Sequence, residues 1–184
     1  MNAAGQRVFE HQRIWRVTER ALTAACAALA DAVREDHLAV SRVVGIANGG
    51  VIPAGQVARH LGVEPLIVRA RHNIDDRTYL QATGEVEVEQ ADAVALTGFN
   101  GTVLVVDDIC GSGATLRALA QALKPVVGPG CRLLTATLCL NAGARLRPDY
   151  WIWPVSDWVN FPWEQPPGVP RSDLPHLEGV HRDR

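Results

Sequence analysis

The residue pattern predicts an α/β fold: an open, mainly parallel sheet flanked by helices, with a flexible loop or hairpin at one side and an irregular C-terminal tail. Three observations predict it. Short apolar runs at 42–46, 66–69, 102–106, 133–140 and 150–153 alternate with stretches of helical periodicity. The run Thr102 to Val106 is almost continuously apolar, as a strand buried on both faces of a parallel sheet must be. Two runs also end in glycine-rich turns, Asn48-Gly49-Gly50 and Gly111-Ser112-Gly113, that open directly into helical patterns. In such sheets ligands bind outside the carboxyl ends of the strands, where the strand order reverses.

Each element follows from local pattern. Between Gln12 and Glu35, Ile14, Trp15, Ala21, Leu22, Ala25, Leu29 and Val33 recur at helical spacing, which predicts one amphipathic helix over 12–35 that covers the domain. Arg42 to Ile46 reads as a strand, and Val51 to Leu61 as a helix stopped by Gly62. Leu66 to Arg69 is a second strand. The polar stretch from Arg71 to Glu89 lacks an apolar face, and its alternation Glu85-Val86-Glu87-Val88 suggests an exposed hairpin arm. Thr102 to Val106 and Thr115 to Leu123 form a third strand–helix unit; Leu133 to Leu140 and Tyr150 to Trp153 are the last strands. Residues 154–184, rich in Pro and Trp without periodicity, read as an irregular tail on a 42–153 core. No internal repeat is visible, and the whole of 1–184 reads as a single domain.

Composition sets bounds on the partners. Of 184 residues 47% are hydrophobic and 21% charged, which suits a soluble globular domain, and a net charge of −2 gives no footprint for nucleic acid. Cys26, Cys110, Cys131 and Cys139 form no CxxC pair and match no zinc spacing, so reduced thiols in the cytoplasm are expected. Glu10 and His11 stand where a signal peptide would be apolar, and the Ala-rich run 21–30 is too short to span a bilayer, so no membrane association is expected.

The chemistry concentrates in Val103-Leu104-Val105-Val106-Asp107-Asp108-Ile109-Cys110-Gly111-Ser112-Gly113-Ala114-Thr115. A buried strand delivers two adjacent carboxylates to its end, and a loop of small residues then starts a helix. Backbone N–H groups of Gly111, Ser112, Gly113, Ala114 and Thr115, with two hydroxyls, can converge on one phosphate, because a helix start concentrates unpaired donors and positive potential. Asp107 and Asp108 then lie about one sugar ring away, where carboxylates accept hydrogen bonds from ribose hydroxyls.

This segment resembles the 5-phosphoribosyl-1-pyrophosphate (PRPP) signature of type I phosphoribosyltransferases. Gly45-Ile46-Ala47-Asn48-Gly49-Gly50-Val51-Ile52-Pro53-Ala54 is similar to the pyrophosphate loop of that family, with Asn48 and Gly49 against the anion. Of the two arginines ending the second strand, Arg69 and Arg71, the resemblance favours Arg71 as the basic residue near pyrophosphate. The tail from Asp149 to Glu164 resembles the hood of the xanthine-guanine and hypoxanthine branch, which implies that Trp158 stacks on the base and Val159 lines its pocket; Trp151, Trp153 and Trp163 read as core. The resemblance spans about Gly45 to Glu164.

It implies a Rossmann-like fold and transfer of phosphoribosyl from PRPP to a nitrogen heterocycle, with Mg²⁺ held by Asp107 and Asp108 through ribose hydroxyls or water. It also implies a homodimer, and a lid around Asp75 to Glu89 that excludes water. Three positions depart from the purine-salvage pattern. Gly111 stands for a third Asp, Leu140 or Asn141 for a lysine that meets the 6-oxo group, and Asn48 for a basic residue; the acceptor pocket has therefore changed more than the PRPP pocket. Glu164, Asp157 and Asp76 are candidates for the base by location. The alternative reading is a PRPP- or nucleotide-sensing regulatory protein of the same fold without turnover. A generic nucleotide-binding domain ranks last, since the chain has neither GxGxxG nor a P-loop.

Overall fold

Thr18 decides where the first helix starts. In the computed structural model, which describes residues 6–71 and 86–183, Thr18 is extended and its hydroxyl accepts a hydrogen bond from the Ala21 N–H at 3.2 Å. Helix α1 therefore spans Glu19–Glu35 rather than 12–35. Ile14 and Trp15, although at helical spacing, lie on a short strand, β1 (Ile14–Arg16). Leu22, Ala25, Cys26, Leu29 and Val33 form the buried stripe of α1.

The remaining core elements sit close to their expected places. Strand β2 (Val40–Ala47) leads to α2 (Val51–Leu61), which ends at Gly62 in the left-handed region, φ 73°. Strand β3 (Pro65–Arg71) is followed by β4 (Glu87–Val88), a short α3 (Gln90–Ala93) and a 3₁₀ turn (Val94–Leu96). Then come β5 (Thr102–Cys110), α4 (Ala114–Leu123), β6 (Arg132–Asn141) and β7 (Tyr150–Val155). The tail carries β8 (Trp158–Asn160), β9 (Ser172–Asp173) and β10 (His181–Arg182).

Seven strands form the main sheet in the order β10-β7-β6-β5-β2-β3-β4. The five central ones run parallel, and β4 and β10 close the two edges antiparallel. Glu87 and Val88 pair antiparallel with β3, as the hairpin arm suggested for 85–88 requires, whereas residues 72–85 lie outside the described residues. Leu104 and Val106 face a core built with α1 and α2, while Val103 and Val105 face a second one with α4. That two-sided burial is why β5 is apolar at every position from Val103 to Val106.

The tail is more ordered than its Pro-rich sequence suggests. Its β8 and β9 both pair in parallel with β1, which thus becomes the central strand of a second sheet, β8-β1-β9. Ile14 stands opposite Trp158, and Trp15 is opposite both Val159 and Ser172. The chain's two ends therefore build the hood together. No described helix is long and apolar enough to cross a membrane.

Candidate active site

The strand order reverses between β2 and β5: the chain moves from β2 to β3 in one direction and from β5 through β6 to β7 in the other. At this switch point Gly45, two residues before the end of β2, pairs with Val106, the residue before Asp107, so the β2 loop leaves the sheet beside the acidic pair. The β2 loop brings Asn48, exposed, and Gly49, half-buried; the peptide between Ala47 and Asn48 is cis.

Strand β5 does not stop before the acidic pair but continues to Cys110. Asp107 is 8% exposed, and its Oδ1 accepts from the Asp108 N–H at 3.0 Å. The Asp108 Oδ1 accepts from the Ile109 N–H at 2.6 Å. The Asp108 carboxylate lies directly over Gly49: a Cβ on Gly49 would fall on both of its oxygens. A side chain there is excluded, so glycine is what lets the two loops meet.

Crowding two carboxylates in a cleft raises their proton affinity. Burial, then repulsion from Asp108, pushes the Asp107 carboxyl well above the usual range, against a backbone hydrogen bond and the charge of Arg7. Burial also pushes the Asp108 carboxyl up to about 6, with Arg7 pulling down and Glu164 pushing up. The site holds negative charge that a cation or a set of hydroxyl donors would relieve.

Beyond β5 the loop turns at Gly113, φ 87°, which serves as N-cap of α4 without a side-chain cap. Ser112 Oγ accepts from the Ala114 N–H at 3.3 Å. Gly111 and Gly113 are buried, while Ser112, Ala114 and Thr115 are half-buried along the rim. The start of a ten-residue helix is thus open to an anion.

The other candidates divide. Arg71 is the last residue of β3, opposite Glu87 on the β4 edge. Arg69 is engaged by Glu89 and Asp92, each at 3.3 Å. Trp158 is half-buried in the hood, with the Phe9 ring 6.1 Å away. Val159 puts its side chain into the core, leaving only its backbone for a ligand. Trp151 and Trp153 are buried as expected, and Trp163 stacks on Phe161 at 5.0 Å. Asp76 lies outside the described residues.

Asp157 is not placed to act as a base. It is buried, and its oxygens accept from the N–H groups of His11, Gln12 and Arg13 at 2.8, 3.0 and 3.2 Å. It ties the N-terminal segment down. Asp157→Ala should lower stability by about 3 kcal/mol, since three backbone N–H groups lose their charged acceptor, or roughly 6–12 °C in melting temperature. A melt within 1 °C of the parent would show that water replaces the carboxylate fully. Glu164 accepts from the Phe161 N–H at 2.9 Å and acts on Asp108 electrostatically, so of the three it alone is shown near the acidic pair.

Residues 6–10 carry a contribution that sequence reasoning missed. The Val8 N–H donates to Asn141 Oδ1 at 2.8 Å, and Asn141 Nδ2 donates to the Val8 carbonyl at 3.0 Å. The Glu10 N–H donates to the Ser156 carbonyl at 2.9 Å, and the Gln6 and Val8 backbone passes directly over Gly143. Held this way, the segment sends the Arg7 side chain against Gly111, with Cζ and Nη2 3.1 Å from where a Cβ would stand. The one available signal was the hole itself, a glycine at a position where an acidic side chain was expected.

The phosphoribosyl transferase domain model matches residues 17–167. The chain belongs to the phosphoribosyltransferase family. It is 33% identical over 132 residues to a xanthine-guanine phosphoribosyltransferase of Cereibacter sphaeroides, covering 70% of this chain and 72% of that protein. A purine phosphoribosyltransferase from Pyrococcus horikoshii shares the fold with a TM-score of 0.66 at 23% identity, over 88% of this chain and all of the other. A Neisseria gonorrhoeae protein solved with bound ppGpp superposes with a TM-score of 0.64 at 25% identity, over 83% and 90% of the two chains. In this phosphoribosyltransferase, Gly111 and Asn141, two positions where the purine-salvage pattern breaks, are the seats of the N-terminal segment. Leu140 meanwhile is buried in the second core.

Proposed function

We propose that this phosphoribosyltransferase works as one catalytic domain that transfers the phosphoribosyl group of PRPP to a ring nitrogen of a planar heterocycle and releases pyrophosphate. One observation carries the assignment of residues. The Asn48–Gly49 loop meets the Asp107–Asp108 pair at the switch point, and the strand that carries the pair leads directly into the start of α4. That order of loop, carboxylates and helix start suits a ligand with a phosphate at each end and hydroxyls between.

Gly111 to Thr115 hold the 5-phosphate, so that remote binding energy fixes the anomeric carbon. Asp107 and Asp108 accept hydrogen bonds from the ribose hydroxyls, and their charge favours the positive carbon that develops as the glycosidic bond breaks. Asn48, Gly49 and Arg71 receive the departing pyrophosphate. Trp158 offers a π-face to the base.

Among the described residues no three acidic, His or Cys side chains could jointly hold a metal. The two crowded carboxylates fit Mg²⁺ arriving on the donor instead, where a hard cation keeps oxygen ligands and water. Bound there, Mg²⁺ would neutralise pyrophosphate charge. Expression in the cytoplasm as a homodimer belongs to the same proposal.

The test is pyrophosphate release with PRPP, Mg²⁺ and a panel of purines, pyrimidines and other heterocycles. Release with an acceptor is expected; PRPP binding without release from any acceptor would contradict turnover. Trp158→Ala should raise the acceptor KM about tenfold or more, because base–aromatic stacking contributes roughly 1–3 kcal/mol. The PRPP KM should stay within twofold, and a change confined to PRPP would remove Trp158 from the acceptor pocket.

A further inference from the structure

Resting on that proposed reaction, we propose that Arg7 is a specificity-determining residue of the acceptor pocket, selecting a planar heterocycle that carries an oxo or carboxylate group on the edge facing Gly111. The geometry is built, not incidental. Three separate positions accommodate the segment that carries it: Asn141, 1% exposed, clamps both backbone groups of Val8, Gly143 admits the backbone overhead, and Gly111 admits the guanidinium. Asp157 and Ser156 then anchor its continuation.

The direction of approach decides which substrate Arg7 serves. The donor loop presents its N–H groups at the start of α4. Arg7 instead reaches Gly111 from the side of β6 and the hood, on a segment that also carries Phe9 to Trp158. Arg7 and Phe9 are two residues apart, so one short segment carries both the cation that reaches Gly111 and the ring beside Trp158. A flat acceptor stacked on Trp158 thus meets the guanidinium along its edge.

A guanidinium has five N–H donors in a rigid fork and no acceptor, so it favours a carbonyl or carboxylate edge over one that donates. Its charge lowers the proton affinity of both Asp107 and Asp108, which places it within electrostatic reach of the ribose side as well. The Gly111 position would repel such an edge if it were acidic.

The experiment compares Arg7→Ala and Arg7→Lys with the parent by pyrophosphate release on two matched pairs, hypoxanthine with unsubstituted purine and orotate with uracil. PRPP affinity is measured by calorimetry, with thermal melts as a fold control. The parent should prefer the oxo- or carboxylate-bearing member of at least one pair tenfold or more in kcat/KM; which pair responds tells the two groups apart. Arg7→Ala should reduce that preference about 10- to 100-fold, the usual consequence of losing a charged hydrogen bond, with a smaller fall in PRPP affinity. Arg7→Lys, which keeps the charge and loses the fork, should fall between.

Preference that survives in Arg7→Ala, a parent without preference, or a loss confined to PRPP affinity would each overturn the assignment while leaving the proposed function standing. No release with any of the four would also refute it. Failure of the parent to bind PRPP at all would remove the proposed function, and the acceptor pocket with it.

Discussion

Asp108→Asn should yield a protein that melts higher than the parent at pH 7 and has lost most of its activity. The two effects share one cause. The folded carboxyl titrates at about 6 against an ordinary 3.8, chiefly because it is buried. A raised carboxyl pKa means that the folded state binds the proton more tightly than the unfolded chain does. The ionised form therefore costs stability above pH 6, and that cost fades as pH falls through 6 toward 4.

A displacement of this size corresponds to about 3 kcal/mol at pH 7. An amide keeps the shape and removes the charge, although its NH₂ group needs acceptors, so a net gain of about 1–2 kcal/mol is expected, or roughly 2–8 °C. The gap between variant and parent should close below pH 5. Activity moves the other way. Losing charge-assisted bonds to ribose hydroxyls should lower kcat/KM by roughly 10²- to 10³-fold. Melting curves at pH 7 and pH 4.5 and a pyrophosphate-release assay read both. Unaltered turnover would take Asp108 out of the site, and a pH-independent melting difference would refute the buried-charge account.

How much of this was legible in the sequence depends on range. The β2 and β5 units showed because every signal is local: apolar runs at 42–46 and 102–106, then glycine turns, then helical spacing. Even there the strand end was misjudged, since β5 carries its acidic pair and runs on to Cys110 in register with Leu140. Hydrophobicity marks where a strand is buried, not where its hydrogen bonding stops.

The N-terminal share of the hood was not legible, for a physical reason. Ile14 and Trp15 satisfy a helical period by chance of spacing, and what makes them a strand is pairing with Trp158 and Val159, more than a hundred residues away. Thr18 as a cap could have limited the helix, because Thr followed by an acidic residue is a recognisable start. Asp157 looked like a candidate base because acidic residues near a hood invite that role. Three N–H groups from residues 11–13 instead make it a structural acceptor, and nothing in its neighbourhood announces them. Arg7 lay outside every periodic stretch, and only the missing side chain at Gly111 pointed to it.

Gly49→Ala should abolish PRPP binding through Asp108 rather than through the pyrophosphate itself. A Cβ at residue 49 would overlap the Asp108 carboxylate, with Oδ1 at 2.7 Å the least crowded of the three atoms it meets. The carboxylate has no easy escape, because its Oδ1 is held by the Ile109 N–H and its strand is fixed between β2 and β6. Either Asp108 swings away from the ribose or the β2 loop lifts. Both separate the loop from the acidic pair, so PRPP affinity should fall at least 100-fold by calorimetry, and overpacking should lower stability by about 1–3 kcal/mol. A double-mutant cycle isolates the cause. In an Asp108→Ala background the clash is gone, so Gly49→Ala should cost less than 1 kcal/mol, a coupling that residues not in contact do not show. Equal costs in both backgrounds would mean that Gly49 is needed for its own backbone and that the meeting of the two loops is incidental to the site.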